Sequence, residues 1–418
     1  MKTKPTLLAI ALASAFPFSG AVAQTNADMQ REIDQLKAQL RVLMEKVEAM
    51  SQKGGVDPQE FNRLVQKVDL AEETSITSGL QGIKFKGVIE ARYIRDKNND
   101  QTLVLAPQGF GANNGYAGTG MFEISKETDQ GKGIKWMLRL TPGGANVQGD
   151  PLVHEASVSV PIGDGKSRLI AGLVPDWQGY EYSFGHQNPL VTHNLLFNYG
   201  AAVNYAGVGM SYELGKWTAK WMFANIDAPG RTKRAPGFVW NAYYGLSEFT
   251  YFNFSGAHSR ETRKFDIMEV DGGYTRGDLS LSGQMSYGRE SATLFGGATN
   301  GLDARWWGLS GFAGYKVTPR LQALVRADFI NDRKNGGGVY FNDGSFGAEL
   351  DNTGAVVDPN RGTNRYALSF GFNYAVNANT QWKAEYRLDR SSGFNFRDAA
   401  GNFLKRNSTL GTSIVVSF

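Results

Sequence analysis

From Gly82 to Phe418 the chain alternates large apolar residues with polar or small ones at a period of two. In the first such stretch Ile83, Phe85, Ile89, Ala91 and Tyr93 fall on one side, and Lys84, Lys86, Glu90 and Arg92 on the other. A period of two marks an extended strand with two unlike faces. The second face carries several ionised groups in a row, which a water-soluble sandwich could not bury; a lipid-facing side backed by a watery lumen accommodates both. The pattern returns as Ile134, Trp136, Leu138 and Leu140 against Lys135 and Arg139, and as Trp217, Ala219, Trp221 and Phe223 against Thr218 and Lys220. It returns again with Leu321, Ala323, Val325, Ala327 and Phe329 against Arg320, Gln322, Arg326 and Asp328, and with Trp382, Ala384, Tyr386 and Leu388 against Lys383, Glu385, Arg387 and Asp389. The last stretch sets Leu410, Ile414, Val416 and Phe418 on one face and ends on an aromatic. An edge strand of that kind has to close against another strand.

Strands are expected near 83–95, 118–127, 133–142, 153–161, 167–174, 203–213, 216–226, 237–246, 248–258, 263–274, 278–288, 304–315, 319–330, 364–375, 380–390 and 405–418. About sixteen is an even number, as a closed bacterial barrel requires. Connection lengths test the count separately. Short links such as Glu213 to Gly215, Thr275 to Gly277 and Val376 to Asn379 alternate with long ones such as Lys97 to Tyr116, Pro175 to Ala202 and Asn331 to Thr363. Short turns on one rim and long loops on the other are the outer-membrane arrangement. Aromatics near strand ends, among them Tyr93, Tyr244, Phe249, Trp307, Tyr315, Tyr374 and Trp382, suit interfacial girdles.

Ahead of the barrel the period is different. Residues 1–23 carry Lys2 and Lys4, an apolar run from Leu7 to Phe18, and Ala21-Val22-Ala23 before Gln24, which reads as a secretory signal peptide. Within residues 24–53, Met29, Ile33, Leu36, Leu40, Leu43, Val47 and Met50 form a narrow a/d seam, with Glu32 and Lys37 placed for a pair between chains. That favours a self-associating coiled coil over a single helix lying on its own barrel. Residues 54–81 add a short helix with Phe61, Leu64, Val65 and Val68, then a polar linker; the barrel occupies 82–418. The expected fold is therefore all-β, a closed antiparallel transmembrane β-barrel of about sixteen strands with an N-terminal helical coiled coil.

Composition narrows the chemistry. The mean hydropathy of -0.34 excludes a helical membrane bundle, and the absence of Cys removes disulfides, thiolate nucleophiles and Cys-held metals. With 44 Lys+Arg against 40 Asp+Glu, no global basic field argues for nucleic acid. The strands read above nonetheless place roughly two positive residues per negative one inside, led by Arg92, Arg139, Arg168, Lys220, Arg326, Arg365, Lys383 and Arg387. A charged lumen selects ions of opposite sign, so the excess points to small anionic solutes, even with many of these charges paired across the wall. The Pro175 to Ala202 link, with Trp177, Tyr180, Tyr182, Leu195, Leu196 and Phe197, is too long and apolar for a solvated loop. It is expected to fold into the lumen as a constriction that also carries His186 and His193; packing over a neighbouring subunit is the alternative.

Several catalytic signals fail. Gly165-Lys166-Ser167 ends like a phosphate-binding loop but sits in a turn after Val160, and Asp96, Asn98 and Asp100 open like a calcium loop that Gln101 and Pro107 do not continue. His154, His186, His193 and His258 show no metal-ligand spacing. No catalytic residue, metal or cofactor is expected.

Signal peptide, coiled coil and barrel together resemble the trimeric outer-membrane porins of the phosphate-selective and dicarboxylate-taking kind. Glu60-Phe61-Asn62, His154 through Val158, Arg168 through Tyr182 and Thr192 through Phe197 are similar to a proteobacterial porin-like family described only as a domain of unknown function. The resemblance implies passive diffusion of small solutes by a homotrimer in the outer membrane, with the coiled coil in the periplasm. Outer-membrane lipid and lipopolysaccharide would surround it, and Arg231, Lys233 and Arg234 of an outer loop could attract anions or lipopolysaccharide phosphates. A plugged structural or adhesive barrel and a barrel hydrolase are the competing readings.

Overall fold

The computed structural model describes residues 82–98, 110–111, 115–127, 133–141, 153–201, 204–227, 235–260, 264–291, 294–295, 298–299, 303–334, 349–358 and 361–418. The stretches read above as signal peptide, coiled coil and short helix with its linker, and the loop bearing Arg231, Lys233 and Arg234, lie outside those residues.

Sixteen long strands make the barrel: β1 Ile83–Asp96, β2 Gly115–Glu127, β3 Lys135–Leu140, β4 Val153–Ile162, β5 Ser167–Pro175, β6 Asn204–Leu214, β7 Trp217–Asp227 and β8 Ala235–Gly245. They continue as β9 Thr250–Ser259, β10 Lys264–Arg276, β11 Leu279–Ser291, β12 Ala304–Lys316, β13 Leu321–Lys334, β14 Arg365–Asn377, β15 Thr380–Ser391 and β16 Arg406–Ser417. Each matches a strand read from the alternation to within a few residues. Every strand pairs antiparallel with its sequence neighbours, and β16 closes on β1 from Val88↔Ser417 to Asp96↔Thr409. No edge is left in the ring, which resolves the hazard posed by the apolar last strand. The final residue completes the seam: Phe418 N–H donates to Gly87 O at 2.9 Å and Gly87 N–H to Phe418 O at 2.7 Å. A Cβ on Gly87 would stand 2.3 Å from the Phe418 ring, so any larger residue there would displace the ring from its place across β1.

Side chains divide as the alternation requires. Phe85, Ile89, Phe223, Met285, Phe370 and Ile414 are exposed on the outside, whereas Glu90, Arg92, Arg326 and Arg387 are buried within. One irregularity changes the inner face. Between β3 and β4 the register runs Arg139↔Glu155 and then Leu140↔Val153, so His154 is an extra residue and both His154 and Glu155 are buried. A bulge turns one more side chain inward than strict alternation allows.

Two-residue turns such as Gly215–Lys216 and Gly277–Asp278 mark one rim. The other rim carries the long links, although β9 and β10 are joined there by only 260–263. The Gly165-Lys166-Ser167 stretch lies at the β4–β5 turn, as its sequence context implied. Short hairpins at Glu349–Leu350 with Val356–Asp358 and at Phe396–Arg397 with Phe403–Leu404 decorate the long-link rim.

Candidate functional site: the lumen and its inward loop

The link from β5 to β6 folds inside the barrel. Apolar residues drive it there, because the lumen is the nearest place to bury them. Leu195 and Leu196 pack with Tyr205, Met222, Ile267, Trp306 and Ile330. Phe184 meets Val88, Met121 and Val415; Val191 meets Ile94; Leu190 meets Phe312 and Leu324. Each of these wall positions is inward, so the lumen wall carries apolar patches cut to the loop. The loop has little regular structure of its own. It contains a single 3₁₀ turn, Gly185–Gln187, and one helical turn, α1 Leu195–Tyr199, capped by the Asn194 side chain, which accepts from Phe197 N–H. Gly179 adopts φ +79°, and a Cβ there would stand 2.8 Å from Gln284 Nε2, so this residue answers both the turn and the close approach.

Polar contacts fix the loop on β13–β15. Glu385 accepts from Val191 N–H at 2.9 Å, Thr192 N–H at 2.7 Å and Thr192 Oγ1 at 2.8 Å. Arg326 Nη1 donates to Glu181 Oε1 at 2.8 Å and to Thr192 O at 2.7 Å, while its Nε reaches Asp328 at 3.2 Å. Arg387 donates to His193 O at 2.6 Å and forks onto Asp389. Lys383 Nζ donates to Gly185 O at 2.9 Å and Asn188 O at 2.5 Å, closing the 3₁₀ turn. Burial by itself would raise the Glu181 carboxyl, but Arg326, His193 and the Asn194 N–H hold it below the usual carboxylate range. His186 is held down to about 3, first by burial and then by the charges of Lys383, Lys86 and Arg139.

The residues nominated from sequence thus separate into groups. Arg326, Lys383 and Arg387 are loop anchors. Arg139 bridges Glu123 at 2.8 Å and Glu155 at 3.1 Å across three adjacent strands. Arg168 donates to Gly133 O and to Ser159, near the short-turn rim. Arg92 is buried on the same face of β1 as Glu90, and Arg365 lies 4.8 Å from the Phe396 ring centroid at the long-link end. Lys220 stands 5.7 Å from the Trp177 ring, which itself packs edge-on to Tyr205. Tyr180 OH shares a 2.6 Å hydrogen bond with Ser310 Oγ, and His193 stacks on Phe197. Tyr182 is exposed, its backbone clasped on both sides by Asn188.

Sequence reasoning missed a second set of groups. Glu269, Asp271 and Glu290 point inward from β10 and β11, and Asp96 does so from β1. The loop adds Asp176 and Glu181. With these added, the roughly two-to-one cation excess counted on selected strands disappears, and inward charges come near to balance among the described residues. Period-two parity on β10 and β11 was the available signal, since Phe265, Ile267, Glu269 and Asp271 alternate with Asp266, Met268 and Val270. Between the loop and the wall from β3 to β10 remains a cavity of about 690 Å³, bordered by Arg139, Glu155, Lys220, Asn253, Asp271 and the Asp176–Phe184 face of the loop.

A ring of sixteen antiparallel strands around a polar lumen, narrowed by one inward loop, defines a porin-type outer-membrane barrel. Residues 82–418 match the family model for putative β-barrel porin-2, OmpL-like, and the chain belongs to that family. The outer-membrane location follows from family and fold together. No protein of curated function matches the chain by sequence. Among solved structures it is similar to the anion-selective porin from Comamonas acidovorans, with TM-score 0.52 and 12% identity over 80% of this chain and 99% of that one. It is also similar to the outer membrane channel DcaP of Acinetobacter baumannii and to outer-membrane expressed OmpT of Vibrio cholerae, each with TM-score 0.51 and 11% identity over 80% of this chain and 97% of the other. At such identities the likeness is one of fold.

Proposed function

We propose that the chain is a passive-diffusion porin for small solutes, with the Pro175 to Ala202 loop as its constriction. The cavity of about 690 Å³ beside the loop carries this reading, because the loop is held against β13–β15 and leaves open space along β3–β10 that charged and amide side chains border. Of the cations nominated from sequence, Arg139 and Lys220 border that space and are the ones placed to act on a passing ion. Discrete conductance steps of the purified protein in a planar bilayer are expected. A silent bilayer would favour the plugged structural barrel instead.

Charge preference is the finer part of the proposal. Anion preference is supported by Arg139 and Lys220, which border the cavity. Asp176 and Asp271 act the other way. The reversal potential under a potassium chloride gradient decides: a shift toward chloride supports anion preference, and a shift toward potassium assigns the narrow point to the acids. We further read the protein as a homotrimer by analogy with trimeric outer-membrane barrels, the a/d seam at residues 29–50 favouring self-association without fixing its order; deleting that segment should lower the oligomer mass in light scattering.

A further inference from the structure

On the outer surface, at the long-link end of β9–β12, a row of polar side chains interrupts the apolar band. Register sets His258 opposite Asp266, Asp266 opposite Arg289, and Arg289 opposite Arg305. All four share the outward parity of the exposed Met268, Tyr287 and Leu309. The adjoining outward row is Met268, Tyr287 and Trp307. Two residues along a strand span about 7 Å, so the charged row lies about one headgroup's depth beyond an aromatic row of the kind that marks the membrane interface.

The row is internally organised around one carboxylate. Asp266 Oδ1 accepts from Arg260 Nη2 at 2.6 Å and lies 2.9 Å from His258 Nδ1, while Oδ2 accepts from Arg289 Nε at 2.7 Å. Trp240 Nε1, which can only donate, lies 3.0 Å from His258 Nε2. His258 Nε2 is therefore the acceptor, Nδ1 carries the proton toward Asp266, and the imidazole is neutral. Asp266 is thus filled by three donors, and it holds Arg289 through Nε. The side chains of Arg260 and Arg289 remain 62% and 55% exposed, and Arg305 and Lys264 are exposed beside them. Among the described residues four cations stand against Asp266 and Asp303, the latter interacting electrostatically with Arg289. A surface ion pair alone contributes little to stability. A net positive row at interfacial depth on a lipid-facing wall needs an anion from the lipid side.

We propose that this row binds a phosphate group of an outer-leaflet glycolipid, with Arg289 and Arg305 as the guanidinium donors and the Trp240–His258–Asp266 chain setting the orientation of Arg289. Guanidinium matches phosphate through paired N–H donors in a way that ammonium does not. The proposal rests on the outer-membrane location and is independent of conduction.

The test uses the full chain in detergent micelles, titrated with diphosphoryl lipid A and followed by native mass spectrometry. Wild type should carry lipid A adducts, and the Arg289→Gln/Arg305→Gln variant should bind roughly tenfold more weakly, the size expected from losing a charged hydrogen-bond pair. Arg289→Lys/Arg305→Lys should recover part of the loss. Lipid A stripped of its phosphates should bind wild type as weakly as intact lipid A binds the Gln variant, and millimolar inorganic phosphate should leave the adducts in place. Equal binding by wild type and the Gln variant, or by phosphorylated and dephosphorylated lipid, would overturn the proposal; so would displacement by inorganic phosphate, which would make this a site for free anions. Heat-modifiable migration on gels verifies the barrel, and should a variant fail to fold, the two lipids on wild type decide alone. Conductance is read separately in the same preparations, so its absence would count against the porin and leave the lipid site standing.

Discussion

Two arcs of the lumen wall arise from the same alternating pattern and do opposite things. On β13–β15, Arg326, Asp328, Lys383, Glu385, Arg387 and Asp389 are all buried, and each bonds to the loop or to a neighbour that does. On β8–β11 the contacts are carried by amides: Asn241 Nδ2 donates to Asn253, Asn253 Nδ2 to Asp271, and Gln284 Nε2 to Glu269. Inward Lys and Arg are absent from β8–β11 among the described residues. The loop meets that second arc through Trp177 O, Asn194, the Gly179 backbone and the apolar packing of Leu195 and Leu196, and the cavity borders part of it. Fixed charge therefore does not by itself line a passage. Where the loop can satisfy it, charge becomes an anchor, and the cavity is left beside an arc whose side-chain hydrogen bonds are carried mostly by amides. A buried ion network is weak evidence for stability, but it is an effective way to hold an irregular segment in one place, because no other placement satisfies it.

The sharpest way to break the contrast is Arg326→Ala. Removing the guanidinium leaves Glu181, Asp328 and Glu385 buried without their shared cation. Loss of one member of such a set costs about 3–5 kcal/mol, so the loop should come off β13–β15. Larger and noisier single-channel conductance is expected, together with a lower unfolding temperature. Glu385→Gln is milder, since one oxygen still accepts from the Val191 and Thr192 backbone; about 2 kcal/mol should be lost, read as more frequent gating with little change in the main conductance level.

Acid probes the same anchor through His186. Its value is lowered from 6.5 to about 3, so the folded loop favours the neutral ring. That contribution is complete above pH 6.5 and is lost as pH falls from there toward 3. Conductance should stay flat at neutral and alkaline pH and begin to fluctuate below about 6, and His186→Gln should remove the part of the change that precedes carboxylate titration. The smallest effects belong to the other arc. Asp271→Asn should move the reversal potential toward chloride and Lys220→Gln toward potassium, each by roughly a twofold change in permeability ratio, as expected of one partly screened charge. If Arg387→Gln moved it further than either, the buried arc would be setting selectivity after all, and the division between anchor and passage would fail.

Much of this was legible in the chain. Side-chain parity in a strand is local, so Phe85, Ile89 and Tyr93 were assignable to the outside and Glu90 and Arg92 to the inside without any partner in view. The link from Pro175 to Ala202 advertised its burial through Trp177, Leu195, Leu196 and Phe197, since apolar residues in a long connection must find cover. That His154 turns inward together with Glu155 was not legible from parity, because a bulge depends on how β3 and β4 pair. The charge count went astray on β10 and β11, where Glu269, Asp271 and Glu290 had the right parity and were left out of the sum.

By itself the sequence determined the barrel, its sixteen strands, the rim on which the loops lie and the loop that turns inward, because all of these follow from periodicity and length. Only the tertiary structure decided which charges meet. Arg326, Glu181 and Glu385 lie far apart in the chain, and ion pairing acts over a few ångströms. Their conversion from lumen charges into a clamp on the loop is a property of register and closure, which no single strand encodes.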